Sequence, residues 1–105
     1  MLPWILLLVA GLLEVVWATA LKASDGFRHT GYAALTVVAA AGSFWLLGLA
    51  MRHLPLGTAY AVWVGIGAVG AVIFGIIWFG DPATFLRLLA IGLILLGVAL
   101  LKVAG

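Results

Sequence analysis

The chain has 105 residues, of which 68% are hydrophobic and only 8% charged. A soluble domain carries about 25% charged residues, so no water-facing surface can be built from this composition. The net charge of +2, from five bases and three acids, is too sparse for a nucleic-acid surface, and with no cysteine neither a disulfide nor a thiolate metal site can form.

Nearly every residue falls in one of four apolar runs. A helix crossing the ~30 Å hydrocarbon layer needs about 20 such residues. The chain therefore reads as an all-α membrane protein, residues 1–105 forming a single four-helix transmembrane domain. The first helix is expected at about Pro3–Lys22, with Pro3 tolerated in its first turn. It has no basic leader and carries Glu14 in its core, so it reads as a retained helix and not as a signal peptide. Ala23-Ser-Asp-Gly26 ends it, with Gly26 the turn residue.

The second helix is expected at about Thr30–Met51. The small residues at its centre, Ala39-Ala-Ala-Gly-Ser43, allow close backbone approach in lipid. The third spans about Leu56–Phe79. A glycine inside a helix costs roughly 1 kcal/mol against alanine, so Gly65 and Gly67 mark either a hinge or a tight packing point. Gly80-Asp81-Pro82 is a turn, in which Asp81 is expected to cap the last helix with Pro82 at its first position. That helix runs to about Val103 and has no polar residue between Arg87 and Lys102. Ala90 and Gly97 are one heptad apart and suit a helix-helix seam.

With four spans both termini lie on one side, together with Arg52 and Lys102. Lys22, Arg28 and Arg87 lie on the other. Orientation follows the Lys/Arg imbalance of short loops. A bias of a single charge permits insertion both ways up, and hence an antiparallel homodimer from one chain.

Glu14 is the only acid or base in the interior of any apolar run. A charge at bilayer depth costs at least ~3 kcal/mol, so Glu14 is the leading candidate for a proton and cation site. Gly11, Trp17 and Ala18 share its helix face. Tyr60 and Trp63 share a face of the third helix, and both can donate to a carboxylate or attract a cation. Ser43 is the central hydroxyl of the second helix. Two Glu14 side chains facing one cavity cannot both ionise cheaply. They exchange protons in coupled steps, and a cation competes with those protons. Trp4, Trp45 and Trp78 lie nearer helix ends and read as interface anchors. His29 and His53 read as loop residues. No nucleophile–base pair or metal cluster lies at membrane depth, so enzyme chemistry and a cofactor are not expected.

These residues resemble the small multidrug resistance family of four-helix bacterial transporters. The resemblance rests on Gly11-Leu-Leu-Glu14-Val-Val-Trp17-Ala18, Leu21-Lys22, Ser24-Asp-Gly-Phe27, Ser43-Phe-Trp-Leu46, Leu54-Pro-Leu-Gly-Thr-Ala-Tyr-Ala-Val-Trp63, Gly65-Ile-Gly67 and Gly97-Val98. It covers essentially the whole chain. The family's multidrug exporters carry Gly and then Thr where this chain has Trp17 and Ala18. Those two residues, with Gly-Ile-Gly-Ala-Val-Gly at 65–70, resemble the guanidinium exporter subtype. Val64 departs from the Ser or Thr frequent at its position.

The resemblance implies guanidinium/H+ exchange across a bacterial inner membrane by alternating access in a dual-topology, antiparallel homodimer. Glu14 would be the proton- and substrate-binding carboxylate. Gly11, Trp17, Ser43, Tyr60 and Trp63 would line the site, Gly65 and Gly67 would form the hinge, and Ala90 and Gly97 the dimer seam. The alternatives are a broader quaternary ammonium exporter of the same family and a non-transporting heteromer subunit.

Overall fold

A computed structural model describes residues 1–104. Four helices follow one another: α1 (Leu2–Ala23), α2 (Thr30–Met51), α3 (Leu56–Trp78) and α4 (Phe85–Ala104). At 1.5 Å per residue, 22 residues give about 33 Å, the thickness of the hydrocarbon layer. All four are long and apolar enough to cross a membrane.

The α1–α2 link is held by Ser24, which is fully buried. Its Oγ donates to the Leu21 carbonyl at 2.7 Å and accepts the Phe27 N–H at 3.1 Å. Its carbonyl accepts the His29 N–H at 3.0 Å. Gly26 has φ +68°, as a turn glycine should, and Asp25 (φ 51°) and Phe27 (φ 68°) share the left-handed region with it. Left-handed backbone is unfavourable for a residue with a Cβ, and the three bonds to Ser24 hold it there.

The α3–α4 link corrects an expectation. Asp81 does not cap α4, and Pro82 is not its first residue. The helix begins at Phe85, where the Thr84 hydroxyl accepts the Arg87 N–H at 3.2 Å. Asp81 is engaged at the preceding helix instead. With Gly80 at φ +71°, the Asp81 N–H turns back to the Gly75 carbonyl at 3.0 Å. The Asp81 carboxylate lies where a side chain on Gly75 would be. The last helix therefore starts three residues later than its sequence implied.

α1 lies between α2 and α3, and the α4 backbone approaches only α3. The molecule is flat, 41 × 34 × 17 Å, less than two helix diameters thick. Its core is Leu7 and Ala10 of α1, Leu47 and Ala50 of α2, and Ala59, Val62 and Trp63 of α3. Ile91 is the one buried residue of α4. At the end that carries the termini, Lys102 Nζ stands 4.9 Å from the centre of the Trp4 ring and ties α4 to α1. Trp4 is thus part-buried against the core, while Trp45 and Trp78 are 70% and 62% exposed.

Candidate functional site

Three helices are joined at mid-depth by two hydrogen bonds. The Ser43 hydroxyl of α2 donates to the Ala10 carbonyl of α1 at 2.7 Å. The same oxygen accepts the indole N–H of Trp63 from α3 at 2.9 Å. Ser43 is fully buried and Trp63 nearly so. A buried indole N–H or hydroxyl without a partner is costly, and here each satisfies the other.

Glu14 follows Ala10 by one turn and shares its helix face. Its carboxyl group packs against α3 at Gly67, so closely that a Cβ built on Gly67 would fall on it. The side chain is half-buried. Among the described residues no donor hydrogen-bonds to its carboxylate. Trp17, one turn further on, has a buried indole N–H with no partner among the described residues. A carboxylate with no donor among the described residues and a buried N–H with no acceptor among them thus share one stretch of α1.

An aromatic row backs this stretch. The Trp17 and Phe44 rings meet edge-on with centres 6.2 Å apart. Phe44 meets Trp63 at 5.7 Å, and Trp63 meets Tyr60 at 5.8 Å. Phe44 escaped the sequence reading. It sits in the Ser43-Phe-Trp-Leu46 motif, but spacing along α2 cannot show that its ring bridges α1 and α3.

Close approach of α1 to α3 comes from glycines on both helices. A Cβ on Gly11 would come within 2.6–2.7 Å of Ile66, and one on Gly70 would overlap Val15. Gly65 makes the same kind of room for Val98 and Ile94 of α4. α3 remains one uninterrupted α-helix through Gly65-Ile66-Gly67.

The expected site residues do not all converge. Gly11, Glu14, Trp17, Ser43 and Trp63 gather around the α1–α3 contact. Tyr60 touches Trp63 but is 53% exposed and borders an open groove between α3 and α4, together with Val64, Gly65, Gly97 and Leu101. Ala90 and Gly97 lie on the exposed surface of α4. A methyl group added to Gly97 would meet nothing within 4 Å. No cluster of three His, Asp or Glu that would hold a metal occurs among the described residues.

The profile of the Small Multidrug Resistance protein family matches residues 2–94. The guanidinium exporter of Yersinia pseudotuberculosis is 53% identical over 104 residues, covering 99% of this chain and all of its own length. That of Proteus vulgaris is 50% identical with the same coverage. That of Salmonella typhimurium is 52% identical over 99% of both chains.

Proposed function

The chain belongs to the small multidrug resistance family, and from that premise we propose that it exports guanidinium ion in exchange for protons. It is a multi-pass membrane protein of a transporter family and not an enzyme. The working unit in this reading is an antiparallel homodimer in a bacterial inner membrane.

The observation that carries the reading is the Glu14 carboxylate, set midway along α1 against α3 with no donor among the described residues. Guanidinium is planar and offers paired N–H donors that match a carboxylate two at a time. One Glu14 from each subunit clamps the cation in its plane. A proton and the cation compete for the same oxygens, so loading one releases the other. The Ala10–Ser43–Trp63 chain fixes the wall behind the carboxylate. Trp17 narrows the site and supplies a further N–H, which favours a small planar cation over bulky aromatic ones. A substituted guanidinium or a small quaternary ammonium is accommodated only where its tail leaves the slot.

The flat shape and the nearly unburied α4 support the dimer. The seam runs along Ala90 and Gly97, where small residues permit close helix approach. Tyr60 borders the α3–α4 groove that Gly97 also lines, which brings its hydroxyl near the second copy. Gly65 and Gly67 form the hinge on which α3 bends as the site opens to one side and then the other.

The test is uptake into liposomes. An imposed pH gradient should drive guanidinium accumulation by the parent protein and none by Glu14→Gln. Retained transport in Glu14→Gln would overturn the reading. Transport of a quaternary ammonium with no response to guanidinium would move the assignment to the multidrug subtype.

A further inference from the structure

We infer that Gly67 is a positioning residue for the Glu14 carboxylate, a seat of bare backbone on α3 on which that carboxylate rests. The inference deepens the reading of Glu14 as the binding group and rests on it. Four glycines make close contacts within the α1–α3–α4 sheet of helices. Gly11 faces Ile66, Gly70 faces Val15, and Gly65 faces Val98 and Ile94. Those three contacts are aliphatic, and close packing in lipid accounts for them. Of these four, Gly67 alone faces an ionisable group; the one other glycine described against a carboxylate is Gly75, where Asp81 of the following turn folds back on the end of α3. A glycine costs roughly 1 kcal/mol in a helix, and packing alone gives no reason to place it beneath a carboxylate.

The geometry gives Gly67 this role beside that of a hinge. A Cβ on Gly67 would overlap the carboxyl group and come within 2.7 Å of Glu14 Cγ. The obstructed atoms are the far end of a flexible side chain. An alanine at 67 therefore turns Glu14 into another rotamer and leaves the helices in place. At Gly70 the obstructed atoms belong to Val15, which is branched at Cβ and buried. An alanine there pushes α1 from α3 instead. The seat also moves with α3, so displacement of α3 carries the surface against which Glu14 is set.

The experiment compares the parent with G67A, E14D, the double variant E14D/G67A, and G70A. Guanidinium binding is titrated by tryptophan fluorescence, and thermal midpoint and dimer size are recorded for each. G67A should weaken guanidinium binding by at least about tenfold while keeping the parental midpoint and dimer. Aspartate is shorter by one methylene and withdraws from the seat, so E14D/G67A should bind no more weakly than E14D. G70A should lower the midpoint. Parental binding by G67A overturns the inference. So does a double variant weakened by the full product of the two single effects, the result a pure hinge would give.

A second readout needs no substrate. The Glu14 carboxyl carbon resonance and its pH titration should shift in G67A while the thermal midpoint and dimer of that variant stay those of the parent. An unmoved resonance overturns the seat, whereas a shifted resonance in a protein that ignores guanidinium upholds the seat and rejects the substrate assignment.

Discussion

The indole N–H of Trp63 is held by the Ser43 hydroxyl at 2.9 Å while that hydroxyl is itself spent on the Ala10 carbonyl at 2.7 Å. Three helices are thereby fixed one turn from Glu14. Ser43→Ala leaves the Trp63 donor buried without a partner, at a cost of about 1–3 kcal/mol. Thermal unfolding in detergent should show the loss. Trp63→Phe made in the Ser43→Ala background should cost less than it does alone, because the orphaned donor is removed with it. Additive losses would deny the coupling.

Trp4 and Lys102 make a second tie, far from Glu14 in depth. The ammonium lies 4.9 Å from the ring centre, and such contacts contribute about 0.5–1 kcal/mol at exposed sites. Trp4→Leu should lower the thermal midpoint by a few degrees and leave guanidinium affinity unchanged. A large change in affinity would mean that the α4 end is coupled to the site.

How far the sequence carries is clearest at the two ends of the last loop. The four spans are legible because an apolar run of membrane length has few alternatives, and the bounds of α2 coincide with those read from its flanking polar residues. Glu14 is legible because a lone acid in such a run is expensive. The start of α4 was not, since Asp81 and Thr84 are both good caps. What decides between them is the return of the Asp81 N–H to Gly75, a contact invisible to a local rule. Phe44, and the seating of Glu14 on Gly67, were hidden for a related reason. Helical spacing shows which residues share one face, not which neighbouring helix that face meets. Thr84→Ala should therefore cost about 1 kcal/mol and speed amide exchange at Arg87. Asp81→Ala should leave Arg87 protected, and exchange rates of the two variants at that amide decide the point.

Charge placement gives a prediction on insertion. Arg52 and Lys102 oppose Lys22, Arg28 and Arg87, a difference of one. Lys102→Gln leaves one base against three, and the side with more Lys and Arg is kept in the cytoplasm. A C-terminal tag should be found on both faces in the parent and mainly on the outer face in Lys102→Gln. Lys102→Arg keeps the charge and should behave as the parent. An unchanged distribution in Lys102→Gln would show that orientation is set by something other than this balance.

If each Glu14 of a dimer surrenders one proton to a shared cation, two protons move for each guanidinium and one net charge crosses per cycle. At equal pH on both sides, a tenfold guanidinium gradient should then give a reversal potential of about 59 mV at 25 °C, opposite in sign to the guanidinium Nernst potential. The sign follows from the balance: twice the proton driving force equals the guanidinium driving force, which solves to minus the guanidinium potential when the proton term is zero. A dimer using one proton per cation is electroneutral, and its transport would continue with no current at any voltage. Currents from reconstituted protein under a guanidinium gradient separate the two, and electroneutral exchange would show that only one carboxylate gives up its proton in each cycle.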